Sequence, residues 1–252
     1  MNTASPETLR RAIWEMIESR DHSAIVTAVE LTRQFPPPSE VPDEPTAQCI
    51  FDTGFAIEFF GDDATAIELY RRVLSYRVVD TKCVASAWFR IGVCICRQGN
   101  LAEAIKCYRE SLRLASDLPH LTALACFYLA GLLEAAEDYE EAAQLYERLL
   151  PMLPHPDINP HKAHLGYARC SWRTGRQSIA VKELTAIAGE PEEPRSVEAW
   201  RLLAEIAEAR KDYAAAEHAY RQIIISSHAE VSLRAAAAYR LAEASERSRN
   251  KD

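Results

Sequence analysis

The chain has 252 residues, with 29 Lys or Arg against 37 Asp or Glu, for a formal net charge of −8. An acidic chain repels phosphate backbones, so nucleic acid is not the expected partner. With 48% apolar residues and only 8 Gly the chain can bury a core, and the abundance of Ala, Leu, Glu and Arg points to helices.

Met1 to Arg20 lacks the basic-then-apolar order of a secretory leader. Ser5-Pro6-Glu7 reads as a helix start, with Ser as N-cap, Pro at the first helical position and a carboxylate on the helix dipole. The longest uncharged apolar run, Leu121 to Leu133, is too short for a hydrocarbon core of about 30 Å, so no membrane insertion is expected and the cytoplasm is the expected compartment. The cysteines at 49, 83, 94, 96, 107, 126 and 170 are odd in number and fall mostly inside predicted helices. There they act as small hydrophobes, and no disulfide framework is expected.

Residues 1–35 read as a degenerate helix pair, broken near Asp21-His22. Residues 36–46 form a Pro-rich linker, extended in character. From 47 to 230 one pattern recurs five times, most clearly between Ala85 and Pro119. Trp88, Ile91, Gly92 and Ile95 give a first helix, Gly99-Asn100 a turn, and Ala104, Tyr108 and Leu112 the apolar face of a second helix. Ala66, Ala104, Ala142 and Ala180 stand 38 residues apart, each followed four residues later by Tyr70, Tyr108, Tyr146 or Leu184. Gly61, Gly99 and Gly175 mark the turns, and Glu137 fills the missing slot. A fifth copy follows at a step of 36, with Trp200, Ala204, Ala216 and Tyr220. Gly92 and Ala104 should let the two backbones approach, with Tyr108 filling the space beyond. Pro119, Pro154 and Pro191 are expected to stop second helices. Residues 231–252 read as a C-terminal capping helix and charged tail, with Arg234, Arg240, Glu243 and Arg247 on its outward face.

Trp88, Ile91-Gly92, Ile95, Ala104 and Tyr108 resemble the signature of the tetratricopeptide repeat family, whose repeat is 34 residues long. The resemblance runs from Ala47 to about Asp252. It implies an all-α fold, a right-handed superhelical solenoid of antiparallel helix pairs. The period of 38 departs from the family by four residues, about one helical turn, assigned to longer second helices or longer links between repeats. Ala130, Ala168 and Ala204 replace the family Gly.

The resemblance also implies a concave groove lined by the first helices. Transferred by register, the groove positions are Phe51, Phe55, Glu58 and Phe59, then Phe89, Val93 and Arg97, then Phe127 and Glu134. Lys162, Arg169, Trp172 and Arg173 follow, and then Glu198, Arg201, Glu205 and Glu208. The family's carboxylate clamp needs Lys and Asn where this chain has Phe51, Phe55, Phe89 and Val93, so that specificity is excluded. Two readings of Phe51, Phe55 and Phe59 stand open: groove wall, or core covered by the N-terminal helix pair. Two also stand for Lys162, Arg169, Arg173 and Arg201: a patch for an acidic partner, or solvated positions paired with Glu198 and Glu205.

No Gly-rich phosphate loop, nucleophile elbow or His-Glu-x-x-His is present, so the chain reads as a non-enzyme without cofactor or metal. His155, His161 and His164, near Asp157, read as polar loop histidines. Cys94 and Cys96 are two apart on a helix and point to different sides. The expected function is an adaptor that binds a peptide or helix of another protein in the groove. The alternative is a structural subunit of a homo-oligomer or multiprotein assembly.

Overall fold

A computed structural model describes residues 5–19, 26, 29–30, 44–76, 79–190 and 192–249. These residues form helices joined by short loops, with no strand among them. The helices are α1 (Pro6–Ser19), α2 (Glu44–Phe59), α3 (Asp63–Ser75), α4 (Thr81–Arg97), α5 (Leu101–Leu114) and α6 (Pro119–Ala135). They continue with α7 (Tyr139–Leu149), a 3-10 turn (Leu150–Met152), α8 (Pro160–Arg173), α9 (Gln177–Ala188), α10 (Ser196–Ala209), α11 (Tyr213–Ile225) and α12 (Val231–Arg249). The chain divides into two compact units, Met1–Leu129 and Ala130–Asp252, each built from adjacent antiparallel helix pairs. Among the described residues no helix is long and apolar enough to cross a membrane.

Each pair is closed by the same turn chemistry. A left-handed residue reverses the chain at Gly61, Gly99, Glu137, Gly175 and Lys211, with φ of 93°, 83°, 63°, 80° and 59°. The next residue then caps the second helix. Asp62, Asn100, Asp138 and Asp212 accept the N–H of Thr65, Glu103, Glu141 and Ala215, satisfying a donor that the helix leaves orphaned. Arg176 holds that position in the fourth pair and gives no side-chain cap. One turn on, Ala66, Ala104, Ala142, Ala180 and Ala216 are fully buried, where the two helix backbones meet.

The tyrosines of the second helices need a small partner. A Cβ on Gly54 would stand 3.0 Å from Tyr70 Cε1, and one on Gly92 would stand 2.9 Å from Tyr108 Cε1. Ala130 fills the equivalent place in the third pair. There the Tyr146 ring lies instead on Gly166 of α8, where an added Cβ would come within 2.7 Å of Cε2.

Second helices stay short, at 14 residues or fewer. Added length lies in first helices of up to 17 residues and in the links between pairs, not in longer second helices. Pro119 does not stop α5, which ends at Leu114; it opens α6, because a helix's first turn needs no N–H from Pro. Pro154 lies in the link beyond the 3-10 turn, and Pro191 is outside the described residues.

At the N-terminus α1 packs on α2, with Leu9 and Ile13 buried and Arg10 Nε donating to Asp52 at 2.7 Å. Most of the second half of the N-terminal pair and most of the Pro-rich linker lie outside the described residues, whereas 44–46 belong to α2. At the other end α12 buries Ala237 and Ala244 against α11, with Leu233 and Leu241 beside them. Its solvent-facing surface is mixed: the expected Arg234, Arg240 and Arg247 are exposed with Ser232 and Glu246, and between them lie exposed Ala235, Ala238, Tyr239 and Ala242. All seven cysteines are free, and all but the half-buried Cys96 are buried. Burial pushes the thiols of Cys49, Cys83, Cys94 and Cys170 up to about 12 and that of Cys107 to about 11.

Candidate functional site

In the first unit most of the groove positions are consumed by packing. Phe51 tilts against Tyr70 with ring centroids 5.3 Å apart, and Phe55 meets Trp14 of α1 at 5.9 Å. The Arg90 guanidinium sits 4.5 Å above the Phe55 ring. Phe59 is 54% exposed and meets Phe60 edge-on. Phe89 is buried, with Tyr108 and Tyr128 each 5.5 Å away, so it supplies core and not groove wall. Val93 and Phe127 are half-buried, and the Phe127 ring stands edge-on to Tyr128. Arg97 is held by Asp63, at 2.5 and 3.0 Å, and by Glu58 at 3.2 Å.

Glu58 shows a device that helix periodicity alone did not disclose. The Tyr70 hydroxyl donates to Glu58 at 2.8 Å, that of Tyr146 to Glu134 at 3.3 Å, and that of Tyr220 to Glu208 at 3.0 Å. Each Glu precedes its Tyr by twelve residues and ties the first helix to the second. Burial first, and the nearby carboxylate second, raise the tyrosine pKa values. The signal lay in the sequence as Glu at every other copy; the intervening copies carry Cys96 and Trp172 at that place.

In the second unit six predicted groove residues come together. Arg169, Trp172 and Arg173 of α8 and Arg201 of α10 line a cavity of about 230 Å³, with Glu134, Tyr139, Leu202 and Glu205. Arg169 lies between two carboxylates: it contacts Glu134 closely through Nε and pairs with Glu198 at 2.7 Å through Nη1. Arg201 pairs with Glu205 one turn away on its own helix. Both basic residues are therefore offset, and the cavity is mixed in charge rather than basic. Arg173 differs. Its guanidinium carbon stands 5.3 Å from the Trp172 ring and 5.8 Å from the Tyr139 ring, and no carboxylate among the described residues pairs with it. Lys162 sits apart from the cavity, in the first turn of α8, where its N–H meets the Asn159 cap. A second cavity, about 180 Å³, shares Arg201 and Glu205 and continues past Tyr220 and Ile223 of α11 to Leu233 and Ala236 of α12.

Of the predicted histidines, His155 comes together with Asp157 and with His120, their ligand atoms within 4.8 Å of one another, whereas His161 and His164 are engaged elsewhere. His161 faces Glu190 at 3.0 Å and Glu193 at 3.3 Å, while His164 faces Glu183 at 2.6 Å.

Stacked helix pairs closed by a left-handed turn, with small residues at the crossing and side chains of successive first helices lining a trough, define a helical-repeat scaffold. Tetratricopeptide repeat family models match residues 83–155 and 172–230, together more than half of the sequence. The chain belongs to the tetratricopeptide repeat family, whose repeats build protein-interaction scaffolds. No curated protein matches it. Among solved structures it is similar to the C-terminal part of a TPR repeat-containing protein from Cytophaga hutchinsonii, at 17% identity and a TM-score of 0.66, covering 92% of this chain and 87% of that one. It is also similar to YrrB, described as a TPR protein with an unusual peptide-binding site, at 15% identity and a TM-score of 0.65, covering 86% and 98%. The apo form of RapI is similar at 11% identity and a TM-score of 0.58, covering 97% and 99%. At these identities the likeness concerns the fold.

Proposed function

We propose that the chain is a non-enzymatic adaptor that holds an extended peptide or a helix of another protein in the trough along α8, α10 and α12. The observation that carries this is the convergence of Arg169, Trp172, Arg173 and Arg201, all at ligand-facing register positions, around one cavity. A preformed trough of packed helices presents these side chains without ordering a loop, which lowers the entropic cost of binding. The peptide-binding site by which YrrB is described supports the same use of this fold. An acidic partner does not follow from the number of basic residues, since Arg169 and Arg201 have carboxylates of their own. A photo-crosslinking residue in place of Arg173 should trap a partner, whereas one in place of Ala214, exposed on α11, should not. Equal trapping at both positions, or trapping at position 214 alone, would refute the assignment.

A second reading, a subunit of a homo-oligomer or assembly, is favoured by the outward face of α12, where Val231 is 77% and Tyr239 66% exposed. Light scattering over a range of concentrations separates the two. A stable oligomer that Tyr239→Glu converts to monomer supports the assembly, and a concentration-independent monomer supports the adaptor.

A further inference from the structure

Arg97 and Arg173 occupy the same place in their repeats, seventy-six residues apart, each as the last residue of a first helix. Their surroundings differ at two positions: Trp172 stands where Cys96 precedes Arg97, and the residue that faces the guanidinium from the preceding second helix changes type. Asp63, the first residue of α3, grips Arg97 through two hydrogen bonds. Its counterpart seventy-six residues on is Tyr139, the first residue of α7. Glu58 also pairs with Arg97, but its counterpart Glu134 is taken up by Arg169 and by the Tyr146 hydroxyl. Replacing Asp by Tyr thus exchanges a counter-charge for an aromatic surface. Arg173 is left exposed beside the rings of Trp172 and Tyr139. Aromatic surroundings favour the cation without consuming its in-plane N–H donors, and a planar fork of donors matches a carboxylate.

The adjoining cavity has an aliphatic side, with Glu208, Tyr220 and Arg240 also on its lining. Ala236 and Ala237 are small, and with Ile223 and Leu233 they leave about 180 Å³ next to the Arg201–Glu205 pair that both cavities share. Neighbouring packed helices lie about 10 Å apart. An extended peptide advances about 3.3 Å per residue, so about three residues carry it from one cavity to the next.

We infer that the trough reads a short linear sequence: an Asp or Glu side chain seated on Arg173, and an aliphatic side chain about three residues away in the cavity over Ala236. This rests on the peptide-binding function proposed above. The occupant is a peptide segment and not a free anion, because the two cavities are continuous through Arg201 and Glu205 and the second adds an aliphatic wall of Ile223, Leu233 and Ala236.

The test is selection of a phage-displayed library of random linear peptides on the full chain, followed by fluorescence anisotropy of the enriched peptides. Enriched sequences should carry Asp or Glu three residues from Leu, Ile or Val. Arg173→Gln should weaken them by about tenfold or more, and so should Asp→Asn or Glu→Gln in the peptide. The two changes together should cost little more than either alone. Ala236→Leu, which fills the second cavity from an exposed position, should weaken the same peptides, while Ala214→Leu on α11 should not. Circular dichroism confirms that each variant is folded. Peptides that crosslink to position 173 but lack an acid, or ignore Arg173→Gln, would overturn this inference and leave groove binding standing. A library that yields no peptide above the vector background would overturn both.

Discussion

Gly166→Ala and Gly131→Ala make the same chemical change in two helix interiors, and the packing described above predicts opposite signs. At Gly166 the new Cβ would lie 2.7 Å from Tyr146 Cε2, well inside van der Waals contact. The ring cannot withdraw freely, since its hydroxyl is bound to Glu134, which is itself held by Arg169. Overpacking of this kind costs about 1–3 kcal/mol, and the gain in helix propensity returns about 0.5–1 kcal/mol. The net expectation is a loss of about 0–2.5 kcal/mol. At Gly131, which is exposed, the nearest atom to the added Cβ is the Tyr146 hydroxyl at 4.0 Å. Only the propensity gain remains, so the variant should be more stable by about 0.5–1 kcal/mol. In a chain of this size each kcal/mol moves Tm by about 2–4 °C. Urea titration and thermal melts followed by far-UV circular dichroism read both changes. If Gly166→Ala stabilises the protein as Gly131→Ala does, Tyr146 does not lie on Gly166 and the account of how the third pair compensates for Ala130 fails.

Ala104→Leu puts a branched side chain where the crossing leaves no exposed surface, and should cost about 1–3 kcal/mol in a urea titration. Glu137→Gly removes a left-handed strain of about 1–2 kcal/mol against a glycine entropy of about 0.5–1 kcal/mol, so the urea midpoint should rise; Gly99→Ala at the equivalent turn should lower it. Alkali should unfold the reduced protein. Buried thiols raised from 9.0 to about 12 favour the neutral form in the fold, so their contribution is intact below pH 9.0 and lost as pH rises toward 12. A flat urea midpoint between pH 8 and 11 would contradict this (~). In native buffer Cys96 should react first with a colorimetric thiol reagent, and the six buried cysteines should wait for unfolding; several equally fast thiols would place the α4 helix in the wrong rotation.

The helix pairs were legible because their requirements are local. A left-handed turn residue, an Asp or Asn cap behind it and an Ala at the crossing follow one another within six residues, and the pattern returns along the chain. Groove positions were not legible in the same way. Register says which way a first-helix side chain leaves its own helix, but not what the next helix does to it. Glu58 leaves toward the groove and meets a tyrosine hydroxyl, Arg97 meets Asp63, and Phe89 is covered by Tyr128. Most of the second-unit cavity was visible: Glu134, Arg169, Trp172, Arg173, Arg201 and Glu205 follow from register, while Tyr139, which decides the state of Arg173, sits on a second helix outside that frame. On α12 the exposed arginines were legible, but the exposed alanines and Tyr239 among them were not, because small residues carry no obvious periodic signal beside conspicuous charges.

The glutamate–tyrosine tie has a consequence for how such a protein can change. A first-helix position that anchors a tyrosine hydroxyl is not free to vary toward a ligand, because removing the carboxylate strands a buried hydroxyl. Leu184, which follows Trp172 by twelve residues, asks for no such anchor. Recognition can therefore be written into the fourth repeat at no cost to the fold, and new specificities should arise where the tyrosine has been given up.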